Sequence, residues 1–268
     1  MKKSRAGVVI FGVCVVWAAV ILPRLFTGRW SPEAEAAIVW AGGLLRLGFL
    51  AVAALTSFRI VRVLNASNPA RTSQAFLAGG FTVYLIAQGT LFGLTIASNG
   101  SPPYPSVADL GFFLAMFFLI TGTALGIRSW LSLGLFPDGG RQAGRAAGAA
   151  LAPMLVGTIF VLISLAGAQS PPIQLAADII YPVLDSMLVI FAAAMLRLAM
   201  MMGRGAVGLV WRALLAGFFA MALGDVSYSF FAGFDVDALD PVIDLLYTVA
   251  YGLYALGAIL QLRLVKRG

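Results

Sequence analysis

Eight apolar runs, most about as long as a bilayer is thick, dominate this chain. They cover about residues 7–22, 34–64, 74–98, 106–131, 145–167, 173–201, 206–232 and 241–265. About 20 apolar residues carry a helix across a hydrocarbon core. In lipid, a segment must satisfy its own backbone hydrogen bonds, which favours helices. The composition agrees: 61% of the 268 residues are hydrophobic and 11% are charged. No water-soluble fold of this length could cover so much apolar surface, so the reading is an all-α, polytopic membrane protein.

The breaks between runs carry helix-start chemistry. Ser31-Pro32-Glu33 places a cap, a first-turn proline and an acid in order. Ser106 through Asp109 forms a capping-box pattern, and Asp240-Pro241 is again cap then proline. Lys2, Lys3 and Arg5 before the first run suggest a signal sequence, but Pro23, Arg24 and Leu25 follow it and no small-x-small cleavage site does. A retained first helix is expected.

Basic residues set the expected topology. Lys2, Lys3, Arg5, Arg59, Arg62, Arg71, Arg128, Arg141, Arg145, Arg197, Arg204, Arg212, Arg263, Lys266 and Arg267 fall on one side, fifteen of the eighteen Lys and Arg. Arg24 and Arg29 fall on the other, and Arg46 lies within a span. Both termini are therefore expected in the cytoplasm of a plasma (inner) membrane. The outer loops, residues 98–105, 167–172 and the Asp235, Asp237, Asp240 turn, are neutral or acidic. Trp130 and Trp211 mark the inner boundary and Trp30 and Tyr104 the outer one. The net charge of +7 reads as topology and anionic lipid, with no nucleic acid as partner.

The chain also resembles itself at an offset of about 135 residues. Residues 85–92 and 105–113 match 221–228 and 241–247 in outline. A unit of four helices returns to its starting side, so halves 1–134 and 135–268 form an expected parallel 4+4 repeat.

Polar residues at bilayer depth need a partner or a purpose. Arg46, Gln88, Asp185 and Asp225 lie near mid-span, and the repeat places them at one depth, facing each other across a pseudo-axis. One reading is a ligand or ion site between the halves. The plainer one is an Arg46–Asp185 or Arg46–Asp225 pair that locks helices together. Nearer the outer surface, Asp109, Asp178, Tyr181, Tyr228, Asp244, Tyr247 and Tyr251 form an expected acidic, aromatic cleft. Asp244, Tyr247 and Tyr251 share a helix face at spacings of three and four. Such a cleft suits an amine or another cation, although Asp109 and Asp244 also suit a helix first turn. Gly122 and Gly126 give a small-x-x-x-small pattern for close helix approach.

No Walker loop, nucleotide fingerprint or zinc-protease motif occurs. There is no His and one Cys, Cys14, so neither a cofactor nor a metal centre is expected. Gly139-Gly140-Arg141 reads as a turn in a loop at 133–143.

Gly224-Asp225, the Pro-Ser-x-Ala-Asp at 105–109, Tyr181-Pro-x-Leu-Asp185 and Asp244-x-x-Tyr247-x-x-x-Tyr251 together resemble multi-helix sensor regions. These stand at the N-terminus of some bacterial diguanylate cyclase/phosphodiesterase proteins and histidine kinases. The resemblance spans most of residues 75–265 and implies an input module. Because the sequence stops at Gly268, the expected output lies on a partner membrane or cytoplasmic signalling protein, or the fold serves as a subunit. The leading expectation is a non-enzymatic sensor-like or accessory subunit, binding a small ligand, lipid or partner helix between its halves. The rival is a proton- or cation-coupled transporter.

Overall fold

The computed structural model describes residues 5–27, 30–100, 102–134, 138–165, 171–202, 205–232 and 240–266. Every regular element among them is a helix: α1 (Arg5–Ile21), the single turn α2 (Arg24–Thr27), α3 (Pro32–Val63), α4 (Ala70–Ala97), α5 (Val107–Ser132), α6 (Gly139–Leu165), α7 (Pro172–Met201), α8 (Ala206–Ala232) and α9 (Asp240–Val265). Eight stretches are long and apolar enough to cross a membrane, with α1 and α2 together making the first. The chain is thus built as a multi-pass membrane protein.

Helix starts follow the sequence chemistry. Ser31 caps α3, its Oγ accepting from the Ala34 N–H at 3.3 Å ahead of Pro32. Ser106 caps α5 through a full capping box: its Oγ accepts from the Ala108 N–H, and Asp109 accepts from the Ser106 N–H. One boundary moves well beyond its expectation. Residues 139–143 are expected in the loop at 133–143, ahead of a span at 145–167, yet α6 starts at Gly139, so Gly139-Gly140-Arg141 is a first helical turn. The alanines there favour helix, and the Arg197 guanidinium donates to Gln142 Oε1 at 2.9 Å, tying this extension to α7.

Six helices close into a ring. α3 packs on α4, α4 on α5, α5 on α7, α7 on α8, α8 on α9, and α9 returns to α3. α6 lies outside against α7 and α8, and α1 lies outside against α9. Their outward faces are strongly apolar, with Val9 and Phe11 on α1 and Ile159 and Ile163 on α6 exposed where lipid would lie. Helices α1–α5 meet α6–α9 where α3 and α1 pack on α9 and where α5 packs on α7.

Glycine sets the closest approaches. Between α4 and α5, Gly80 lies under Leu119 and Gly122 under Leu77. Between α8 and α9, Gly217 lies under Tyr254 and Gly257 under Leu214. A β-carbon at any of the four would come within 3.0 Å of its neighbour. Small residues thus let these pairs touch, where lipid supplies no hydrophobic drive to press them together.

One face of the bundle, the 98–106 face, carries the described residues 98–100, 102–106 and Asp240; the opposite face carries 64–69, 133, 134, 138, 202 and 205. The expected basic positions Lys2, Lys3, Arg29, Arg204 and Arg267, and the acids Asp235 and Asp237, lie outside the described residues.

Candidate functional site

A cavity of about 560 Å³ runs inward from the 98–106 face. Its mouth is lined by Trp30, Pro103, Tyr104 and Asp240, and its depth by Tyr84, Gln88, Met221 and Tyr251. Tyr84 sits about 20 Å along α4 from its end at Ala97, taking 1.5 Å per residue. The cavity therefore reaches mid-span.

α9 supplies one wall. Asp244, Tyr247 and Tyr251 all line the cavity, as their shared helix face predicts. Asp244 accepts from the Arg46 guanidinium at 2.5 Å and from the Trp17 indole N–H at 3.1 Å. This corrects the expected Arg46–Asp185 or Arg46–Asp225 pair. α3 and α9 both start at the 98–106 face, and the long Arg46 side chain reaches Asp244, which lies one turn into α9 rather than in its expected first turn. Trp17 was not anticipated. Its signal was an indole inside a lipid-facing run: at 7% exposure its N–H needs an acceptor.

The other polar residues pair locally. Tyr251 donates to Gln88 Oε1 at 3.0 Å, and Tyr247 to Asp225 Oδ1 at 2.7 Å. Tyr181 donates to Asp109 Oδ1 at 2.6 Å, while Asp109 Oδ2 serves the α5 cap. Asp109 is thus both a helix-start acid and part of the cavity wall. Asp244 and Asp109 each accept from a long donor on a neighbouring helix: Asp244 from Arg46 of α3, Asp109 from Tyr181 of α7. The expected single layer of Arg46, Gln88, Asp185 and Asp225 is split into three groups. Arg46 turns to the mouth and Gln88 to Tyr251. Asp185 and Asp225 meet each other, their carboxyl groups within hydrogen-bonding reach.

Asp185 is 2% exposed and lies behind Asp225, outside the cavity lining. Among the described residues, no group other than Asp225 approaches either of its oxygens as a hydrogen-bond partner, and Asp225 Oδ2 is buried without a donor of its own. Asp178, expected in the cleft, is likewise set back behind the lining at 4% exposure, accepting from the Tyr104 hydroxyl at 2.6 Å. Burial and the Asp178 carboxyl push the Tyr104 hydroxyl well above the ordinary phenol range, so it remains a donor. Tyr104 also stands edge-on to Tyr228 at the mouth, with ring centroids 5.7 Å apart.

No family model, curated protein or solved structure matches this chain. The site must therefore be read from its own chemistry.

Among the described residues, four acids, Asp109, Asp225, Asp240 and Asp244, line the cavity together with two cations, Arg24 and Arg46. Arg46 is engaged by Asp244, and Arg24 lies 3.5 Å from Glu35. Six tyrosines, 84, 104, 181, 228, 247 and 251, also line it. Ile38, Val39, Leu91 and Phe92 form an apolar wall on α3 and α4. Two tyrosines of this neighbourhood were missed in the sequence although their spacing pointed to them: Tyr84 lies one turn before Gln88, and Tyr254 continues the Tyr247, Tyr251 series. Among the described residues, no group of three His, Cys, Asp or Glu could hold a metal ion. The arrangement can surround a small cation with carboxylates and aromatic faces while an apolar portion lies against α3 and α4.

Proposed function

We propose that this chain is a non-enzymatic, sensor-like or accessory subunit of a plasma membrane that binds a small cationic ligand between its two halves. The cavity carries the reading: among the described residues its lining has more acids than cations, six tyrosines and one apolar wall. Those features together fit an ammonium group attached to a modest apolar body.

The halves are residues 1–134 and 135–268, a parallel repeat of four spans each. Two glycine contacts support it, since Gly80–Leu119 and Gly122–Leu77 between α4 and α5 have counterparts in Gly217–Tyr254 and Gly257–Leu214 between α8 and α9, at an offset of 135–137 residues. So does the ring order, in which exchanging α3, α4, α5 with α7, α8, α9 preserves every neighbour. The basic residues put the 98–106 face outside the cell and both termini inside. The cavity is then entered from outside, as a sensor of external ligands needs. A partner membrane or cytoplasmic signalling protein would read its state.

The test is thermal unfolding of the purified chain in detergent against a panel of amines, with tetramethylammonium and matched carboxylates included. Stabilisation by amines, removed in Asp225→Asn, supports the reading. Stabilisation by carboxylates alone, or by nothing in the panel, refutes it. Topology is checked with Cys14 replaced by Ala: a membrane-impermeant thiol reagent should label Asn99→Cys in intact cells and leave Asn68→Cys untouched.

A second reading, a proton- or cation-coupled transporter, draws on the buried Asp185–Asp225 contact beneath the cavity. It requires pH-dependent amine flux into liposomes that Asp225→Asn abolishes. A subunit that only binds gives no flux.

A further inference from the structure

We propose that Asp185 and Asp225 form a proton-binding site in which two carboxyl groups hold one proton between them at the base of the cavity. The geometry is a hydrogen-bond account that does not close otherwise. Asp225 Oδ1 accepts from Tyr247, but Asp225 Oδ2 and both oxygens of Asp185 have no N–H or O–H directed at them among the described residues. The two carboxyl groups are nevertheless within bonding reach of each other. Carboxylates only accept, so a contact between two of them is a hydrogen bond only when one carries a proton. Two like charges in contact at bilayer depth, with Asp185 2% exposed, repel with little water to screen them.

Among the described residues, the surroundings supply no cation to replace that proton. α9 presents Tyr247, Tyr251 and Tyr254; α4 presents Tyr84; α7 adds Tyr181; and α5 adds Asp109 at longer range. α6 carries two ionisable residues, Arg141 and Arg145, and both are exposed near its start rather than packed against α7 and α8. Arg46 of α3 is bonded to Asp244. The Tyr254 hydroxyl, buried and without a partner, completes a neutral, polar pocket around the acids.

The site is connected on one side only. Asp225 lines the cavity and Asp185 does not, so the proton enters and leaves through Asp225. On release, one carboxylic acid and one carboxylate become two carboxylates and a free proton in the cavity. This site stands apart from the ligand reading: it is a property of the empty protein, whatever the cavity binds.

Infrared spectroscopy of the purified full chain in lipid nanodiscs tests it without a ligand. The expected result is a protonated-carboxyl C=O band at neutral pH, equivalent to one group per chain. It should shift in D2O and be alike in potassium and sodium chloride. The band should shift or vanish in Asp185→Asn and in Asp225→Asn, and be absent from the double variant. Absence of the band at neutral pH, or its survival in the double variant, overturns the proposal. So does loss of the band on exchanging potassium for sodium, because a metal ion would then hold the pair. If an Asn variant fails to fold, the wild-type count decides, and zero or two protonated groups per chain overturns it. An amine panel without effect leaves this result standing, so the two readings fail separately.

Discussion

Replacing Arg46 by Met, alone and together with Asp244→Asn, measures the contact that ties α3 to α9 at the cavity mouth. Arg46 and Asp244 approach to 2.5 Å with side chains 18% and 27% exposed, so water screens the pair only in part. A charge-assisted hydrogen bond contributes about 1.5–3 kcal/mol net. Removing one member of a fully buried pair costs about 3–5 kcal/mol. Partial exposure and the remaining Trp17 donor place the Arg46→Met loss near the lower figure, at about 2 kcal/mol. The double-mutant cycle with Asp244→Asn should return a coupling of about 1–2 kcal/mol, well above the ~0.5 kcal/mol scatter of independent sites. The same cycle with Asp185→Asn should fall within that scatter. SDS-driven unfolding of refoldable protein in mixed micelles, followed by tryptophan fluorescence, supplies the free energies, and Trp17 reports on the site directly. Coupling to Asp185 larger than coupling to Asp244 would refute the pairing and restore the mid-span layer read from the sequence.

Three other outcomes are expected. Gly217→Val drives a side chain into Tyr254 at the α8–α9 contact and should destabilise the protein by about 1–3 kcal/mol, whereas Gly48→Ala, which meets nothing within 4 Å, should be neutral or slightly stabilising in the same unfolding assay. Ser106→Ala removes the α5 cap and should cost about 1 kcal/mol, with hydrogen exchange accelerated over the first turn of α5 and α9 unaffected. An amine that binds should raise unfolding free energy by about 2.7 kcal/mol at a hundred times its Kd, and Tyr251→Phe should weaken that gain by freeing Gln88 from its donor.

The elements that could be read directly from the chain are those governed by local chemistry. Apolar length alone located all eight spans, and Ser31 and Ser106 marked their helix starts because capping is decided within four residues. The Asp244, Tyr247, Tyr251 face was legible for the same reason, since helical spacing fixes which side chains share a face. Partner choice was not. Arg46 has acids at several plausible depths, and which one it meets depends on α9 closing the ring against α3. The Asp185–Asp225 contact likewise needs the packing of α7 on α8, though both residues stood out as buried acids. The α6 start was missed because alanine, glycine and arginine in alternation look like a loop until Gln142 finds Arg197.

The ring order has a consequence for biosynthesis. Arg46 and Asp244 are 198 residues apart in sequence. Synthesis runs from the N-terminus, so the second span inserts its guanidinium long before its counter-ion exists. Until α9 arrives, that cation must be hydrated, drawn toward headgroups or sheltered by the insertion machinery. α9 therefore supplies a wall of the cavity and ends the exposure of a charge stranded since early in translation.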